Sequence, residues 1–128
     1  RGRRLAVVLA PGEPFSVTSQ HSLYDAPVTE TFVVRADGCI VLRGVSSPSA
    51  AVREYFGLTA AGEDHPLERV LPEIVFRIAA GAPQRLRAGG VERSFLVLGE
   101  HGDRVVMRAA VRRGSAPVRS ARVTRTGP

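Results

Sequence analysis

Lysine and tryptophan are missing from this 128-residue chain, and cysteine and methionine occur once each. The single cysteine, Cys39, excludes an intrachain disulfide and any zinc site built from several thiolates. Its neighbours in Gly38-Cys39-Ile40-Val41-Leu42 are apolar, which suits a small buried hydrophobe. Aromatic residues make up 5% of the chain, too few to furnish stacking platforms for single-stranded nucleic acid. No apolar run approaches the roughly 20 residues that span a bilayer. The run from Leu5 to Ala10 is shorter than the ~7–15 residue core of a signal peptide.

What is present is enough for one domain, since a chain near this length buries roughly two-thirds of its unfolded surface without staples. The formal charge is +6, carried entirely by arginine on the basic side. Arg1, Arg3 and Arg4 crowd one end and Arg112, Arg113, Arg119, Arg122 and Arg125 the other, so much of the excess falls in expected tails. Such a balance raises nucleic acid or an anionic membrane surface as a partner, the first of which stands as an alternative reading.

Short β-branched runs, broken by Gly, Pro or Asp at intervals near the ~8–12 residue rhythm of antiparallel sheets, predict a mainly β fold. The expected architecture is a single antiparallel β-sandwich or barrel-like domain with one short helix. Strands are expected at Arg4 to Ala10, Glu13 to Ser22, Val28 to Ala36, Cys39 to Val45, Glu73 to Ala79, Gln84 to Ala88, Val91 to Leu98 and Arg104 to Arg112. Pro11-Gly12, Asp37-Gly38, Gly89-Gly90 and Glu100-His101-Gly102-Asp103 supply turns. The helix is expected over Ser47 to Phe56, with Ser47 as N-cap, Pro48 in the first position, and Ala51, Val52, Tyr55 and Phe56 on one face, closing one end of the core. Gly57 to Pro66 reads as an exposed loop. The β domain is expected to occupy residues 1–113, and Gly114 to Pro128, rich in Arg, Ser, Gly and Pro, to form a disordered tail.

One hairpin carries the most information. Phe15, Val17, Ser19 and His21 share one face of the first strand, and Val28, Glu30, Phe32 and Val34 share a face of the second. Directly opposed residues of an antiparallel pair point to the same side, so matching the apolar faces sets odd positions of the first strand against even positions of the second. His21 and Glu30 then lie inward together. In the register where they face each other, Leu23 to Val28 closes the hairpin, and the two polar groups compensate each other's burial. A three-residue turn Ala36-Asp37-Gly38 would carry Ile40, Leu42 and Gly44 along the same inner face, leaving space opposite Glu30 at Gly44. His21, Glu30 and Gly44 are therefore the candidate ligand-binding residues. The competing reading is a buried His–Glu pair that only fixes register.

His21-Ser22, Pro27-Val28, Glu30 and Asp37-Gly38 with its flanking strands resemble an uncharacterised bacterial family. It is a domain of unknown function commonly encoded beside TAXI-type TRAP transporters, tripartite solute importers with an extracytoplasmic binding protein. The resemblance spans roughly Phe15 to Arg112, with the His-Ser…Pro-Val…Glu segment specific. It implies a small extracytoplasmic β domain behind an N-terminal membrane segment, which suits a chain that opens on Arg1. Many members carry a glycine-rich stretch where this chain has Ser46-Ser47-Pro48-Ser49-Ala50-Ala51.

The expected function is thus a non-enzymatic extracytoplasmic binding domain for a small polar ligand or a partner protein, with no cofactor. Two alternatives stand beside it. One is a nucleic-acid-binding domain, separable by deleting Gly114 to Pro128. The other is a metal-binding hydrolase joining His21 and Glu30 to His65 or His101, against which stands the absence of closely spaced ligand pairs. Ser22 lies on the opposite strand face from His21, which argues against a Ser–His nucleophile. Arg85, Arg87, Arg93, Arg104 and Arg108 are expected to form either a basic strip or a solvated sheet face.

Overall fold

The computed structural model describes residues 3–21, 25–56, 64–79, 81, 84–112 and 118–126, with 64–68, 112 and 118–126 described through their backbone. The strands are β1 (Arg4–Leu9), β2 (Phe15–His21), β3 (Ala26–Val34), β4 (Ile40–Ser46), β5 (Asp64–Leu71), β6 (Ile74–Arg77), β7 (Arg85–Ala88), β8 (Val91–Ser94), β9 (Arg104–Arg112) and β10 (Val118–Thr126). One helix, α1 (Ala50–Tyr55), follows β4, and a 3-10 turn at Phe95–Val97 follows β8. The chain is mainly β, as its alternation predicts. All strand pairings are antiparallel, in a four-stranded sheet ordered β1-β10-β9-β6 and a six-stranded sheet ordered β5-β4-β3-β2-β7-β8.

The period-two pattern puts one face of each sheet into a shared core. From the six-stranded sheet come Phe15, Val17, Phe32, Val34, Ile40, Leu42 and Leu86, and from the four-stranded sheet Val7, Leu9, Val105 and Met107. Phe15 and Phe32, directly paired across β2 and β3, stack with centroids 5.3 Å apart.

The expected turns form. Gly38 (φ 88°) closes β3 to β4 through Arg35 N to Cys39 O (2.8 Å) and Gly38 N to Arg35 O (3.0 Å), the expected three-residue loop with a left-handed glycine. Arg35 donates to the Asp37 carboxylate, as does the Cys39 N–H (3.0 Å), and these bonds hold that carboxyl well below its ordinary range. Gly89 (φ 56°) and Gly90 (φ 77°) make the two-residue turn of β7 and β8, where both positive φ values suit a type I′ hairpin. A Cβ on Gly89 would meet the Val8 carbonyl oxygen at 3.0 Å, so the turn is seated against β1.

Four expectations are corrected. Val118–Thr126 is no disordered tail: it is β10, paired with β1 on one side and β9 on the other. Ser120, Ala121, Val123 and Thr124 are small or β-branched, a strand composition that the interspersed arginines obscure. Residues 64–66 belong to β5, an edge strand, which tolerates Pro66 because an outward N–H is dispensable there; residues 57–63 of the expected loop lie outside the described residues. The run from Val91 ends as a strand at Ser94, whose hydroxyl oxygen accepts from Leu96 N (3.2 Å) and starts the 3-10 turn. Finally, α1 is capped by Ser49, whose Oγ accepts from Val52 N (3.3 Å), rather than by Ser47. Ser47 instead donates from Oγ to Pro27 O (2.8 Å), tying the helix to β3.

Candidate functional site

The hairpin of β2 and β3 obeys the expected parity: Phe15 opposes Phe32, Val17 opposes Glu30, Ser19 opposes Val28 and His21 opposes Ala26. His21 and Glu30 therefore share the inner face. They do not face each other, because the ladder runs further than expected. Pairing continues to Ala26, which is buried, and buries Val28 on the way, so the connection shrinks to residues 22–25, where Asp25 adopts φ 48°. Burial of two more apolar side chains decided the register. Ala26 and Glu30 are four positions apart on β3, about 13 Å along a strand.

Gly44 is also displaced from its expected place. The β3–β4 ladder shifts at Thr31/Phe32, so Phe32 opposes Leu42 but Thr31 opposes Gly44, leaving Arg43 as the bulged residue. Val45, not Gly44, stands opposite Glu30. Gly44 opposes Thr31 across the outer face of the sheet, and no space beside Glu30 arises from it.

Glu30 is left between Val17 on β2 and Val45 on β4, both fully buried. Desolvation among these neighbours pushes its carboxyl above the ordinary glutamate value, and the charge of Arg69 on β5 pulls partly the other way. No hydrogen bond reaches this carboxylate among the described residues. Arg69 escapes a reading of the sequence because β5 itself does: Leu67-Glu68-Arg69-Val70-Leu71 does not alternate apolar with polar, so no period-two signal marks the strand.

At the end of the same face His21 packs on α1. Its ring meets Tyr55 edge-on with centroids 4.6 Å apart, and Tyr55 meets Phe56 at 5.6 Å. Val52, fully buried, turns the helix onto the core, while Arg53 Nη1 donates to Ser47 O (2.9 Å) and fastens its start. Tyr55 stays 62% exposed, so this corner presents an aromatic surface beside the imidazole.

The other constellations separate. Arg85 and Arg87 both bond Glu92 (2.7 and 2.9 Å) on the six-stranded sheet, holding the Glu92 carboxyl below its ordinary value, chiefly through Arg87 and then Arg85. Arg104 and Arg108 lie on β9 of the other sheet, so the five arginines form no single strip. Among the described residues no group of three His, Cys, Asp or Glu is placed to hold a metal ion. His101 is exposed in the turn before β9, the His65 side chain lies outside the described residues, and so does Ser22. No described helix is long and apolar enough to cross a membrane. Neither protein-family models, characterised proteins nor solved structures match this chain.

Proposed function

We propose that this chain is a non-enzymatic binding domain whose inner sheet face at Glu30, with His21 and Tyr55 at the end of that face, receives a small polar ligand carrying a cationic or hydrogen-bond-donating group. The observation that carries the reading is Glu30 itself. A carboxylate between Val17 and Val45 is costly, and Arg69 offsets it only partly. Valine or leucine would serve a purely structural inner face better. A donor arriving at this carboxylate would recover the lost solvation, and Arg69 adds a place for an anionic group on the same ligand. The extracytoplasmic setting and the association with TRAP-type transport belong to this proposal through the resemblance of the His21-Ser22…Pro27-Val28…Glu30 segment. The metal-binding hydrolase has no ligand group in its favour among the described residues.

The test is an amide-resolved NMR titration with single L-amino acids and short-chain amines. Perturbations are expected at Val17, Glu30, Val45 and Arg69, and Glu30→Gln should abolish them. Identical perturbations in the wild type and in Glu30→Gln, or none with any compound, would refute the site.

A further inference from the structure

Both sheets carry exposed arginines, Arg43 and Arg93 among them on the six-stranded one. On the six-stranded sheet Arg85 and Arg87 are tied to Glu92, and Arg35 to Asp37. On the outer face of the four-stranded sheet, alternation along β9 turns Arg104 and Arg108 outward, since Val105 and Met107 face the core; Val106, on the same side as the two arginines, is buried beneath them. Arg77 on β6 stands directly opposite Arg104. Arg4 lies in the same row as Val106, through Thr124. Arg4, Arg77, Arg104 and Arg108 are all exposed. Among the described side chains of this face Glu73, bonded to Arg108 at 2.8 Å, is the one carboxylate.

Like charges set directly opposite across a ladder repel. The Arg77/Arg104 opposition is relieved when anions lie over it. The same face exposes Val8 (61%) on β1 and Val75 (44%) on β6. It carries no aromatic side chain among the described residues, so bases have nothing to stack on. A broad sheet face is also unlike the helix or two-stranded ribbon that enters a major groove. Arginines interspersed with exposed valines instead match a surface of phosphate headgroups above an apolar layer.

We propose that the outer face of the β1-β10-β9-β6 sheet is a docking surface for an anionic lipid bilayer, held by Arg4, Arg77, Arg104 and Arg108 with Val8 and Val75 at the interface. Each arginine near such a surface contributes a factor of roughly five in partitioning. Attraction of this kind fades as salt shortens the screening length from ~10 Å at 0.1 M toward ~3 Å at 1 M.

The experiment is co-sedimentation of the whole chain with vesicles of equal parts phosphatidylcholine and phosphatidylglycerol, against vesicles of phosphatidylcholine alone, with duplex DNA as a competitor. Binding is expected to the anionic vesicles only and to fall with salt. R104E/R108E should weaken it by about 25-fold or more. R43E/R93E, with the same change in net charge on the other sheet, should leave it near wild type. R4Q/R77Q, milder for folding, should weaken it by about 25-fold, each variant being checked by its circular dichroism. Equal losses in R104E/R108E and R43E/R93E would overturn the proposal in favour of net charge alone. Binding to DNA and not to vesicles would replace it with a nucleic-acid surface, and binding to neither would end it.

Discussion

Glu30 shows how much a single side chain depends on its register. Its folded pKa lies above that of the unfolded chain, so the folded state holds the proton more tightly. Stability contributed by that proton is complete below the unfolded value and is lost as pH rises through the folded one. Glu30→Gln should therefore raise the urea midpoint at about pH 7 and bring little change at about pH 4, where both forms are neutral. An equal shift at both pH values would mean that the carboxylate is not the source. That Glu30 and His21 share an inner face was legible from alternation alone. Their separation was not, because whether pairing stops at Val28 or runs on to Ala26 is settled by what packs over those residues.

At the scale of elements, the β7–β8 turn joins two sheets as well as two strands. Gly89 combines a positive φ with a backbone neighbour that cannot move aside, the Val8 carbonyl. Gly89→Ala should cost about 2–5 kcal/mol in chemical unfolding, the conformational part plus the close contact. Gly90→Ala, with open space around it, should cost only the conformational part, about 1–2 kcal/mol. Equal losses in the two variants would show that the seat against β1 does not matter. The turn was readable from Gly89-Gly90, but its contact with β1 was not, since these residues are some eighty positions apart in sequence. Helix α1 was likewise legible from its apolar face. Its cap moved from Ser47 to Ser49 because Ser47 found a partner in Pro27 on a neighbouring strand.

For the whole molecule the decisive element is β10. It lies between β1 and β9, so β1 has no other partner in its sheet. A chain ending at Arg112 should therefore fail to fold cooperatively: the expected result is loss of the sigmoidal urea transition and of amide dispersion. A truncated chain that melts like the full one would show β10 to be dispensable. The same placement removes tail deletion as a way to separate ligand binding from nucleic-acid binding, since it would take the fold with it. Surface charge changes such as R104E/R108E do that work instead.

The sequence by itself determined the fold class, most strand positions, the glycine turns and which residues of β2 and β3 face inward, because side-chain alternation and φ preferences act within a few residues. Only the tertiary structure decided how far β2 and β3 pair, that a bulge at Arg43 sends Gly44 to the outer face, and that an arginine-rich terminus is a central strand. Those outcomes depend on apolar area buried between segments distant along the chain, a quantity that no local pattern contains.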